Sequence, residues 1–306
     1  MILNNDYWRS LFPLELAGTL FLVAGLFAAR RQLSLRLNGL VVLGRLFVAS
    51  ALATFGAEHL ASARDISQIV PHWLPFHLFW TYFFGFALLA AATSFVLNRQ
   101  VRLSASLLGL MFFLFFVLLD VPAVPANLAD RFTWALFARE FFFAAGAWAL
   151  AAAQLSAKHR TWAHRILPAC RVSMGAILVF YSIEHFLHPE FAPGVPLEQI
   201  TLAIIPFPRL WGYLAGAMLL LGGVALVANR MARTVAASTG IAMALLVPII
   251  YLPMLVVARQ PLEITVAINY IFDTLLFAGS ILLLAETIPA GADAPAHAEK
   301  HASPGP

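Results

Sequence analysis

The sequence predicts an all-α integral membrane protein with about nine transmembrane helices, arranged as two parallel four-helix-bundle repeats behind one extra N-terminal helix. Three observations lead there. The 306 residues are 61% hydrophobic and only 11% charged, with a mean hydropathy of +0.85, whereas soluble domains carry about 25% charged residues. Apolar runs near twenty residues recur along the whole chain, the length that a ~30 Å hydrocarbon layer demands of a helix. The segment GRLFVASALATFGAEHL (44–60) also lies over CRVSMGAILVFYSIEHF (170–186) at one offset, so that Arg45, Glu58 and His59 fall on Arg171, Glu184 and His185.

The predicted spans are 11–29, 39–61, 77–97, 103–121, 132–155, 168–188, 208–228, 233–257 and 264–287. The first has one arginine before it (Arg9) and two after it (Arg30, Arg31). A secretory signal has the reverse charge order and a small-residue cleavage site, so this run is expected to be a retained helix. Cationic residues then follow spans one (Arg30, Arg31, Arg36), three (Arg99, Arg102), five (Lys158, Arg160, Arg165) and seven (Arg230, Arg233), with Lys300 in the tail. All of them share one side if the N-terminus is outside, and cationic loops stay cytoplasmic. The expected location is a bacterial inner membrane, N-terminus outside and C-terminus cytoplasmic.

The duplication organises the remaining spans. Pro75-Phe76, Trp80, Tyr82, Gly85, Asn98-Arg99, Arg102, Gly109 and Pro122 reappear 131 residues later as Pro206-Phe207, Trp211, Tyr213, Gly216, Asn229-Arg230, Arg233, Gly240 and Pro253. Glu140 and Gly146 correspond to Asp273 and Gly279 at an offset of 133. The offset changes only in connections, where insertions leave a bundle intact. The expected units are 1–38 (extra helix and basic loop), 39–157 (first repeat), 158–287 (second repeat) and 288–306, an Ala, Pro, Gly and His-rich tail that cannot bury enough to order itself. Each repeat has an even number of spans, so the two share an orientation and an axis along the membrane normal relates them.

Composition also narrows function. The charge of +4 and pI near 9.6 come mostly from short turns between spans, which is topological information and not a nucleic-acid surface. Cys170 is the one cysteine, which removes an intrachain disulfide, a Cys-x-x-Cys relay and iron–sulfur ligation. The lipid bilayer is the partner that composition implies; nucleic acid is not.

The candidate polar pocket consists of Glu58, His59, Glu140, Glu184, His185 and Asp273. Each repeat places a Glu-His near the outer end of its first helix and a carboxylate in its last, Glu140 about 12 Å deep at 1.5 Å per residue. Asp120 and Arg139 join only the first repeat, their counterparts being Tyr251 and Phe272. Ionisable groups cost about 2.5–3.5 kcal/mol each at the centre of a span. Two readings stand: a protonatable pocket in each bundle that exchanges protons with a quinol or a conduction path, or groups that satisfy one another and fix helix packing. His59, His185, Trp80 and Trp211 are the candidates for contact with a cofactor, although tryptophans near an interface are also ordinary belt residues. Glu184, His185 and His188 offer zinc or copper ligands, but Ser62 stands where the second repeat has His188, so this set is not repeated. Haem between His59 and His185 meets the objection that both lie near the surface.

The stretch IVPHWLP (69–75) after a helix ending in Glu-His resembles the DoxX-like membrane proteins, as do EHFLHPEF (184–191) and IIPFPRLWGYLAG (204–216) in the second repeat. The resemblance covers about residues 39–287 and implies two fused four-helix units. The chain departs from the pattern at Phe86 and Ala217, where relatives often carry a carboxylate after the second-helix glycine. What it implies for function is a redox-associated subunit of a membrane complex, with protein partners and quinone as the cofactor compatible with it. A non-catalytic scaffold and a proton or small-solute transporter are the alternatives.

Overall fold

The computed structural model describes residues 12–34, 36–155, 160–194 and 199–289. Most of the tail expected to be disordered lies outside them, as do Arg9, Lys158 and Lys300. Among the described residues there is no strand, only a single isolated bridge between Phe191 and Ile200. The main helices in chain order are α1 (Phe12–Ala29), α2 (Leu43–Ala61), α3 (His77–Leu97), α4 (Val101–Ala126), α5 (Arg131–Ala153), α6 (Arg160–Leu187), α7 (Pro208–Val227), α8 (Ala232–Val257) and α9 (Pro261–Thr287). Seven of them, α3 to α9, are long and apolar enough to cross a membrane.

Two boundaries differ from the sequence reading, and both concern proline. α4 was expected to close near Pro122 and runs on to Ala126. Its backbone widens to a π turn over Phe116–Asp120, directly before the proline. The wide turn makes room for the ring, which would otherwise clash with the carbonyl four residues back. α8 repeats the device at Val247–Tyr251, ahead of Pro253. α6 begins not at Pro168 but at Arg160, and carries the proline inside the helix.

Other local geometry recurs at the same separation. Phe76 and Phe207 both hold a left-handed backbone at the start of a helix, with φ of 61° and 52°. The turn after α3 has Asn98 and Gln100 at φ 51° and 54°, and the turn after α7 has Asn229 and Met231 at 54° and 48°. Trp80 Nε1 donates to Pro75 O at 3.0 Å, and Trp211 Nε1 to Pro206 O at 3.1 Å. Left-handed conformations are uncommon for side chains such as Phe and Met, so their matched placement is specific.

The helices sort into an inner pair and an outer shell. Of the apolar windows, 89% of α9 and 72% of α5 are buried, against 22–39% for the other spanning helices. These two are not the most apolar helices, since α5 has a mean hydropathy of 1.3 against 2.5 for the mostly exposed α4; they carry the ionisable residues Arg139, Glu140 and Asp273, and such groups within spans face the bundle interior. Phe142 of α5 stacks on Phe277 of α9 with ring centroids 4.3 Å apart.

The halves also interlock. α9 packs on α2 of the first half, and α5 packs on α6 of the second. The units expected at 39–157 and 158–287 therefore do not pack as two self-contained bundles; each last helix crosses to the other half's first helix. Polar bonds follow the exchange. Arg45 of α2 does not reach for headgroups but pairs with Glu286 of α9 through two hydrogen bonds, and its Nη1 donates to Asn98 Oδ1 at 2.6 Å. On the other side, Tyr181 of α6 donates its hydroxyl to Ala135 O of α5 at 2.6 Å.

The α2–α9 crossing depends on two small residues. A Cβ on Gly279 would lie 2.7 Å from Val48 Cγ2 and 2.9 Å from Gly44 O, while one on Gly44 would lie 2.7 Å from Leu282 Cβ. Close backbone approach of this kind substitutes for the hydrophobic drive that lipid removes. Gly279→Ala is expected to cost about 1–3 kcal/mol through overpacking. Gly216→Ala, whose Cβ would meet only side-chain atoms at 3.3–3.4 Å, should cost less. Thermal melts of the two variants in detergent check this; equal losses would mean that the α2–α9 crossing is not specially tight.

Candidate functional site

Helix starts set the depth of the ionisable groups. Asp130 caps α5, accepting from Phe132 N at 3.3 Å, Thr133 N at 3.0 Å and Thr133 Oγ1 at 2.6 Å. The Thr133 bonds hold its carboxyl below the ordinary range. α9 opens with Pro261 and a reciprocal cap between Gln260 and Glu263, the pairing that satisfies two of the orphan amides at a helix start. From these fixed starts, Arg139 and Glu140 stand about two turns into α5 and Asp273 more than three turns into α9.

They meet between the two inner helices. Arg139 Nη2 donates to Glu140 Oε1 at 2.8 Å, and Nη1 lies 3.4 Å from Asp273 Oδ1. Glu140 and Asp273 are 8% and 4% exposed, so one guanidinium faces two buried carboxyls across the junction of the halves. Glu140 Oε2, Asp273 Oδ2 and Arg139 Nε are all buried with no hydrogen-bond partner in the protein. Buried polar atoms left this way are costly, and each native case calls for a water, an ion or a ligand.

Arg139, Glu140 and Asp273 all line a cavity of about 740 Å³. α2, α3, α4, α5 and α9 wall it, and the connection from Ile66 to Leu74 rims it. Phe84, Phe112, Phe115 and Phe143 contribute apolar wall, and Trp80 stands near the rim. The polar side holds Glu58, His59, Arg139, Glu140, Asn269 and Asp273. Asn269, one turn before Asp273 on α9, donates to Glu58 Oε1 at 3.2 Å, while its own Oδ1 is buried and unpartnered. His59 Nδ1 lies 2.7 Å from Phe55 O. A carbonyl only accepts, so Nδ1 donates and a neutral ring presents Nε2 as an acceptor.

The structure thus brings together Glu58, His59, Glu140 and Asp273, adds Arg139, and places Trp80 in the same wall. It does not bring in Glu184, His185, His188 or Trp211. Glu184 pairs with Arg131 Nε at 2.9 Å, and the Arg131 guanidinium lies 4.4 Å over the Phe191 ring. His185 is fully buried and its Nε2 accepts from Gly194 N at 3.4 Å. His188 faces Glu190 at 3.7 Å, and Trp211 does not line the cavity. Glu184, His185 and His188 therefore turn to separate neighbours, and among the described residues no three His, Cys, Asp or Glu side chains gather around one point. This cavity is lined from both repeats: α2 to α5 give most of its wall, and Gln199, Val266, Asn269, Tyr270, Asp273 and Leu276 give the rest. Asn269 was missed; an amide one helical turn from an intramembrane carboxylate was its sequence signal. The cavity itself had none, because facing helices exchange across the halves.

The buried cluster should dominate stability. Arg139→Met leaves two buried carboxyls uncompensated and is expected to cost about 3–5 kcal/mol. The triple variant Arg139→Met, Glu140→Leu, Asp273→Leu should recover most of that loss, since apolar replacement of a whole buried ion cluster is often neutral. Arg131→Ala, at a pair 30% and 16% exposed, should cost only about 1 kcal/mol or less. Denaturation midpoints of the three variants provide the check, and a triple variant no more stable than Arg139→Met would contradict the charge argument.

A family model described as a domain of unknown function (DUF8561) matches residues 48–129. That stretch takes in Glu58, His59, the rim connection, α3 and α4, and so much of the cavity wall. Comparison with the curated proteins and with the solved structures gives no match.

Proposed function

We propose that this chain is a redox-associated integral membrane subunit of the DoxX-like type, and that its cavity takes the head of a lipid-soluble quinone-class ligand. The observation that carries this reading is the cavity's composition: apolar and aromatic walls of ligand size, ending in buried polar atoms that have no protein partner. A quinone-class molecule fits such a donor set. Its apolar body matches the phenylalanine and leucine walls, and its ring oxygens can accept from Arg139, which only donates, while in the quinol form its hydroxyls can donate to Glu58 and His59.

The accompanying topology is nine spans with the N-terminus outside, the two halves being a parallel duplication in a bacterial inner membrane. Support comes from the seven long apolar helices, the cationic residues after spans one, three, five and seven, and the π turns and left-handed caps recurring 131 residues apart. Protein partners in a membrane complex would take the electrons, while the chain's carboxyls and imidazole exchange protons with the ligand.

The chain purified in native lipid should co-purify with about one quinone per chain. The double variant Glu58→Gln, His59→Ala should lower that occupancy at least roughly tenfold, as the loss of two polar contacts implies. Lipid extraction and quantification of quinones provide the measurement; a quinone-free protein, or full occupancy in the variant, would end the proposal.

A further inference from the structure

At the position in the second repeat that matches His59, the chain's own backbone meets the histidine. His185 corresponds to His59. Its Nε2 meets the backbone amide of Gly194 at 3.4 Å. Ala192, Pro193 and Gly194 are buried in the interior, and the hydroxyl of Tyr251 donates to Pro193 O. Tyr270 accepts from Gln199 N at 2.9 Å and stacks on Tyr251 with centroids 5.7 Å apart. Gly194 has φ +144°, a conformation that glycine adopts readily and other residues resist, and a Cβ there would run into the Tyr251 hydroxyl.

Tyr270 and Gln199 also line the first-half cavity, but the buried Pro193–Gly194 turn and Tyr251 do not. Asp120 stands in place of Tyr251, Phe137 in place of Tyr270, and the connection from Ile66 to Leu74 rims the cavity without bonding His59. Among the described residues no protein group bonds His59 Nε2, while Nδ1 is committed to Phe55 O. The rings differ at Nδ1, which meets Phe55 O in His59 and is buried without a partner in His185, but both leave Nε2 as the acceptor, and in His185 a donor N–H occupies it.

We propose that the first-half ligand carries a hydrogen-bond donor at the position taken by the Gly194 amide, so that the cavity selects a hydroxyl-bearing, reduced quinol head over the oxidised quinone. This inference rests on the cavity reading above and adds the polarity of one contact. The Glu58 carboxyl, whose one described bond is from Asn269 through Oε1, is a second acceptor beside His59 and favours the same donor. A quinone offers only acceptors and leaves His59 Nε2 unsatisfied, which is the costly case for a buried site.

The test compares three probes of one tail length on the full chain in lipid nanodiscs under anaerobic conditions: a decyl benzoquinol, its benzoquinone and the quinol dimethyl ether. The quinol is expected to bind about 3- to 10-fold more tightly than the other two, the range that one net hydrogen bond gives. In His59→Leu the ratio should fall to about one. Equal affinities in the wild-type chain, a preference for the quinone, or an unchanged ratio in His59→Leu would overturn the donor assignment while leaving the cavity reading intact. Failure of all three probes to bind would overturn both. The wild-type comparison decides even where His59→Leu fails to fold.

Discussion

The bonds of Arg139 to Glu140 and Asp273 are the constraint on which the rest of the molecule turns. One guanidinium and two carboxyls sit between the most buried helices of a chain whose outer surface is apolar. In such surroundings a charge has no alternative partner, so leaving it alone is far more costly than pairing it. The pairing fixes the rotation of α5 against α9. That in turn fixes which faces of these helices meet α2 and α6, because both inner helices are packed on all sides. The Gly279–Gly44 approach then becomes a consequence of the same geometry: with α9 held by Asp273 at one depth, its small residue faces α2 at another.

The packing of α9 on α2 and of α5 on α6 explains why residues far apart in the sequence share one cavity wall. Each half's Glu bonds to the other half's last helix: Glu58 to Asn269 of α9, Glu184 to Arg131 of α5. The architecture is therefore symmetric in plan while the residues at the exchange points differ. Asn269 has Leu136 as its counterpart and Arg139 has Phe272. Polar groups were thus available to one side and aromatic filler to the other. Divergence at a handful of inward positions is enough to set the two sides apart, since a packed interior gains from filling any volume that polar groups do not claim.

Much of the frame was legible in the sequence. The span 77–97 coincides with α3, and the recurrence of Trp80 and Trp211 after Pro75 and Pro206 foretold matched turns, because a tryptophan N–H and a proline-led helix start make a local pattern that needs no distant partner. The π turns were not legible. A proline near a helix end reads as a terminus, and only tertiary packing decides whether the helix instead widens and continues. Nor were the meetings of Arg139 with Asp273 or Glu58 with Asn269. Periodicity places a residue on a face of its own helix, but it says nothing of which helix that face meets, and in an interlocked duplication the natural guess of the same half is the wrong one.

The asymmetry bears on how an internal duplication acquires function. Were both halves to carry such a cluster, there would be two sets of buried charges on the same pair of inner helices, at about the same depth. Arg139 already draws Asp273 of the second half into the first half's cluster. A second arginine at position 272 would stand beside that carboxylate and put two guanidinium groups within the reach of the same acids, where like charges in low dielectric repel strongly. A second arginine-centred cluster on these two helices is therefore disfavoured. On the other side, Tyr251 bonds the buried Pro193–Gly194 turn and stacks on Tyr270 of α9, which itself lines the cavity, so that the turn, α8 and α9 pack together behind the cavity wall.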